Sequence, residues 1–103
     1  MVGGFEPVAP QPTGFEAGNP CNVAAPIEHP QAEYPRGAGE QPGWVALQYD
    51  IGSDGATTNV IVKAASPQGV FDRAATEAVS HWKYRPDQPI AGCRLLITFR
   101  PPE

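Results

Sequence analysis

The chain has 103 residues and a net charge of −4, with 41% apolar and 17% charged residues, 13 prolines, 11 glycines and two cysteines. That length allows one domain, and the absence of a basic run leaves no electrostatic footprint for nucleic acid or an anionic membrane. No apolar stretch approaches the roughly 18 residues that span a bilayer, and the first residues lack the basic and apolar regions of a signal peptide.

Residues 1–42 hold 8 of the 13 prolines and 6 of the 11 glycines, so one position in three is a breaker and no hydrophobic period survives. Residues 1–30 read as a Pro-rich extended linker and residues 31–103 as the folded domain. Charge divides the same way: Glu6, Glu16, Glu28, Glu33 and Glu40 stand against Arg36 alone, and acids balance bases from residue 43 onward. The result is a neutral domain behind an acidic leader. Met1-Val2-Gly3-Gly4 reads as an added start, and the chain is expected to be an excised soluble domain.

From Gly43 the pattern changes. Val45, Leu47, Tyr49 and Ile51 alternate with Ala46, Gln48 and Asp50, the period of a half-buried strand. Trp44 falls on the polar parity, a place for surface contact or partial burial. Gly52-Ser53-Asp54-Gly55 has a reverse-turn composition, and Val60 and Val62 resume the alternation through about Ala65 to complete a hairpin. A turn at Ser66-Pro67 and Gly69 then opens a helix over about Val70–Lys83, with Phe71, Ala74, Ala75, Ala78, Val79 and Trp82 on one face. Its alanines permit close approach to a sheet. Pro86 forces the chain out, and Leu95, Ile97 and Phe99 mark a last strand stopped by Pro101 and Pro102.

The order β-β-α-β implies an α+β fold, a three-stranded antiparallel sheet with one main helix packed on one face. Three open strands leave two edges with unpaired backbone groups. The stretch Arg94, Leu95, Leu96, Ile97, Thr98, Phe99, Arg100 has no charge inside it and turns Leu96 and Thr98 away from the helix. It is the edge expected to accept an added peptide strand, and an open edge also permits a homodimer. Lys83, Arg85, Arg94 and Arg100 are read as solvated charges, with orientation of an acidic ligand as the alternative.

Cys21 lies in the leader and Cys93 just before the last strand. A bond between them would close a loop of about 70 residues and add roughly 4 kcal/mol in the chain-entropy account, large for so small a core. The alternative is two unrelated thiols in a reducing compartment. A buried-core role does not explain a cysteine beside Pro20 in a polar segment, so a disulfide that pins the leader, and an oxidising compartment, are expected. Two cysteines with His29 or His81 do not make a metal set, and no Ser, Asp or Glu arrangement forms a triad around either histidine. No metal, cofactor or catalytic residue is expected.

Several short patterns, each weak alone, stand in a specific order: Tyr34-Pro35, Gly43-Trp44-Val45, Tyr49-Asp50-Ile51, Asp54-Gly55, Asn59-Val60, Ser66-Pro67, Phe71-Asp72-Arg73-Ala74-Ala75, Ala78-Val79, Trp82-Lys83-Tyr84-Arg85-Pro86, Gly92 and Ile97-Thr98-Phe99. Together they resemble the C-terminal domain of the TonB family of energy transducers, from Tyr34 to about Arg100. The resemblance implies a periplasmic adaptor tethered to the inner membrane. In the family the ExbB/ExbD motor drives it, and it docks onto the TonB box, a short peptide of outer-membrane transporters for siderophores and other scarce nutrients. It implies strand addition along Arg94 to Arg100, with Gln31 in a segment that also contacts the box. Tyr34, Gly55, Phe71, Trp82, Tyr84 and Phe99 match positions tied to function in the family, although core packing is the simplest role for Phe71, Trp82 and Tyr84. One departure is Arg36-Gly37-Ala38-Gly39-Glu40-Gln41-Pro42, where the family has a helix. Two glycines and a proline cost about 5 kcal/mol there relative to alanine, so that helix is expected to be absent or a single turn. The alternative is a TolA-like scaffold, or the periplasmic tail of a sensor or regulatory protein, using the same fold to bind another protein.

Overall fold

The computed structural model describes residues 10–15, 26–39 and 41–101. Three strands, β1 (Gly43–Ile51), β2 (Thr57–Ser66) and β3 (Ile90–Phe99), form one antiparallel sheet in the order β2-β1-β3, and α1 (Asp72–Ser80) lies between β2 and β3 in sequence. The α+β architecture expected from the order of elements is the one observed. A three-residue 3-10 turn, Arg36–Ala38, stands where two glycines and a proline forbid more.

The strongest apolar run becomes the central strand. Val45, Leu47, Tyr49 and Ile51 point to the helix side and are at most 2% exposed, meeting Phe71, Ala75 and Val79 there. The opposite face differs from the half-solvated strand the alternation suggests. Trp44 and Ala46 are buried on it with Leu96, and Phe15 and Ala64 pack against them. Leu96 is therefore covered and only Thr98 of that pair is exposed.

The helix is shorter than its apolar spacing suggests, ending at Ser80 and not near Lys83. His81 and Trp82 donate to Ala78 and Val79, three residues back, which tightens the last turn, and Lys83 then leaves to bridge to Glu28 and Ala56. Trp82 thus sits beyond the helix, half-buried, its ring edge-on to Tyr49 at 6.3 Å. The start is set by Asp72, whose carboxylate accepts from the Gly69 amide at 2.8 Å in the positively polarised first turn.

α1 packs on β2 and less on β1, leaving the β3 side of that face to other cover. Ala32, Tyr34 and Ala38 supply it, so residues just before the first strand are part of the core. At the far end of the sheet Asp50 ties all three strands, accepting from Asn59 Nδ2 and from the Gly92 amide, both at 2.9 Å. Those two bonds hold its carboxyl below the usual carboxylate range.

Candidate functional site: a groove along the free edge of β3

β3 pairs with β1 on one side only, so its other side is a sheet edge. Along it runs a groove of about 470 Å³, with Leu95, Leu96, Ile97, Thr98 and Phe99 as one wall and Pro26, His29, Gln31, Ala32 and Trp82 as the other. The second wall is extended because Pro26 and Pro30 fix φ and lack an amide hydrogen. Three anchors hold it. The Ile27 and Glu28 amides donate to the Lys83 carbonyl at 2.7 and 3.1 Å, and the Lys83 amide returns a bond to Glu28 at 2.8 Å. Next, the Trp82 indole N–H donates to the Pro30 carbonyl at 2.9 Å. Finally, the Tyr34 hydroxyl donates to the Gln41 carbonyl at 2.6 Å. Gln31 lies between the last two, exposed and beside the groove.

A larger depression, about 570 Å³, lies on the other side of this segment against α1, among residues such as Val70, Arg73, Glu77 and His81. Its helical wall has its backbone bonds made internally. The groove on β3 is the one that offers strand-edge donors and acceptors to a visitor, at the spacing another strand requires.

The aromatic residues singled out in the sequence form two braces. Tyr34 meets Phe71 edge-on at 5.6 Å, and Phe71 stacks on Phe99 at 4.5 Å and 15°, joining the outer wall to the end of β3 through the residue that opens α1. At the other end the Tyr49 and Tyr84 hydroxyls share a buried hydrogen bond of 2.7 Å beside Trp82. Gly55 lets this brace form. Its φ is +89° and a Cβ there would overlap the Tyr84 carbonyl, whose own amide donates to Gly55 at 2.7 Å. These residues shape the walls and stay mostly beneath them.

Burial is the main force raising both phenols above their ordinary range; the shared bond adds to the rise at Tyr49 and offsets part of it at Tyr84. An acid raised in the folded state binds its proton where the unfolded chain has lost it, so the pair's stabilisation is intact below about pH 10 and falls above it. Tyr49→Phe or Tyr84→Phe alone leaves one buried hydroxyl without its partner and is expected to cost about 1–3 kcal/mol in urea unfolding. The double substitution should cost less than the two singles together and should flatten the alkaline slope.

Of the expected peptide-contacting residues, the structure brings together Gln31, Leu95, Leu96, Ile97, Thr98 and Phe99. It places Arg100 exposed just past the strand, and Arg94 on the opposite face with its guanidinium over Phe15. Cys93 is buried, and no described cysteine is free; Cys21, its expected partner, lies outside the described residues. Sequence reading missed Pro26, His29 and Ala32 as groove residues. Prolines four apart were a signal for an extended segment, but nothing in the pattern aimed that segment at β3.

A three-stranded sheet with one helix and one strand edge open beside a shaped groove defines a small α+β module of distinct topology. Residues 30–99 match the family described as Gram-negative bacterial TonB protein C-terminal, and the chain belongs to that family. It is 33% identical over 58 residues to protein TonB of Escherichia coli K12 and 31% identical over 58 residues to protein TonB of Klebsiella pneumoniae. Each match covers 56% of this chain and 24% of the relative, so the chain spans about a quarter of those proteins. Among solved structures it is similar to the TonB2 protein from Vibrio anguillarum, with TM-score 0.65 and 27% identity over 96% of this chain and 100% of that one. The solution structure of the Pseudomonas aeruginosa TonB C-terminal domain gives TM-score 0.62 and 25% identity over 80% and 90%. No helix among the described residues is long and apolar enough to cross a membrane.

Proposed function

We propose that this domain is the docking end of a TonB-type energy transducer, which takes the TonB box of an outer-membrane transporter as an added strand along the free edge of β3. The observation that carries the reading is the groove itself. Five consecutive residues of an edge strand face an anchored extended segment, with no Asp or Glu among the described residues that line the groove. A visiting strand would gain backbone bonds from β3 and side-chain contacts from Gln31, His29 and Trp82. In this reading the Pro-rich leader continues toward an inner-membrane anchor driven by ExbB and ExbD, which places the domain in the periplasm. A Cys21–Cys93 bond, formed in that oxidising compartment, would fasten the leader to β3. The work asked of the domain is peptide pairing, without a cofactor.

The test is titration of a labelled domain with TonB-box peptides. Amides of Leu95 to Arg100 and the Gln31 side chain are expected to shift, with micromolar affinity because a single added strand buries far less than the standard ~1,600 Å². Shifts confined to the exposed face of α1 would overturn the reading.

A further inference from the structure

The sheet face turned away from α1 carries a site that meets the peptide groove only at Leu96. Trp44, Ala46 and Leu96 are 5, 0 and 8% exposed there, and Phe15 packs over them with Ala64. Register explains the shape of this seat. Ala46 pairs with Ala64 on one side and Leu96 on the other, so the smallest side chains make its floor, and Trp44 rises two positions away along β1.

Two further details select an aromatic tip. Arg94, on the same face as Leu96, sets its guanidinium carbon 5.8 Å from the centre of the Phe15 ring, within cation–π range. Gly14 precedes it with φ +86°, in a turn at Thr13-Gly14, and a Cβ there would come within 3.4 Å of Arg94 Nη1. The turn requires a residue at ease with positive φ, which favours glycine, and the Arg94 guanidinium lies in ordinary contact range of it. Arg94, expected beside the groove, is thus engaged on the other face.

We propose that this seat is a binding site for a turn-presented Gly-Phe tip, and that its ligand is the chain's own leader, latched to the sheet through Phe15. Tethering makes one ring sufficient, because a short linker holds a ligand at millimolar effective concentration. The latch also covers an apolar strip across three strands that a small domain would otherwise expose. The leader holds a second copy of the key, since Gly4-Phe5-Glu6 repeats Gly14-Phe15-Glu16 ten residues earlier.

The full chain is labelled with 5-fluorotryptophan, which reports Trp44 and Trp82 separately by fluorine NMR, and the parent is compared with the double variant Phe5→Ala/Phe15→Ala. Broadening of Trp44 by a soluble gadolinium chelate is expected to rise at least threefold in the variant, with Trp82 unchanged. Equal protection of Trp44 in both proteins would overturn the latch. In the parent, nuclear Overhauser contacts from the Phe15 ring to the Ala46 and Leu96 methyls are expected, and their absence would overturn it even if the variant fails to fold. Contacts seen only between differently labelled copies would overturn the assignment to the chain's own leader.

Discussion

Replacing Gly55 by alanine is expected to lower the unfolding free energy by about 3 kcal/mol or more, among the largest effects of any single methyl group added to this chain. Two costs combine. The residue is held at φ +89°, where an L side chain carries strain of about 1–3 kcal/mol. The new Cβ would also overlap the Tyr84 carbonyl, and backbone cannot swing aside as a flexible side chain does. Relief requires residues 84 and 85 to retreat. That breaks the Tyr84 amide bond to Gly55 and pulls the Tyr84 hydroxyl from Tyr49, leaving buried polar groups unmet. In thermal unfolding the midpoint should fall by roughly ten degrees or more for a domain of this size. A loss below about 1 kcal/mol would show that the segment after α1 is less tightly seated than its contacts indicate.

Proline substitution in β3 is expected to have the largest effect on binding. In an antiparallel strand successive amides point to opposite sides, so of Ile97 and Thr98 one donates inward to β1 and the other outward to the groove. Ile97→Pro and Thr98→Pro therefore separate two effects. The inward variant removes a ladder bond and should lose stability by several kcal/mol. Its outward counterpart should keep more of the parent's stability yet weaken peptide binding at least tenfold, because it deletes a donor and fills the edge with a pyrrolidine ring. Calorimetric titration of both, with urea midpoints measured alongside, decides the matter. Parent-like affinity in both variants would remove strand addition at this edge.

The sheet was legible because its pattern is local. Val45, Leu47, Tyr49 and Ile51 declare one face by alternation alone, and Leu95, Ile97 and Phe99 do the same for β3. What alternation does not report is cover supplied from far away in the chain. Trp44 and Leu96 fall on the parity that usually meets water, and they are buried because Phe15 reaches them from a segment without any period. The outer wall of the groove was hidden for the same reason. Pro26 to Ala32 has no hydrophobic repeat, and its place depends on bonds to Lys83 and Trp82 made across more than fifty residues of sequence. The helix end shows the limit of periodicity in the other direction. Trp82 fits the helical face by spacing, but the exit at His81 is decided by what Lys83 and Tyr84 gain outside the helix.

The bridge between Glu28 and Lys83 has a mechanical consequence. Tension applied from the N-terminal side and resisted at β3 does not pull on the ladder of β1 directly. Where tension reaches residue 27 it meets three backbone bonds at Ile27, Glu28 and Lys83, which pass it through Tyr84 to Tyr49 and so into the middle of the sheet; a Cys21–Cys93 bond, once formed, would carry it into β3 before that point. Three bonds in one short patch are a weaker joint than a strand paired along its whole length. With the cysteines reduced, this patch would act as a fuse that yields ahead of the sheet and leaves β3 paired to β1; a Cys21–Cys93 bond would bypass it.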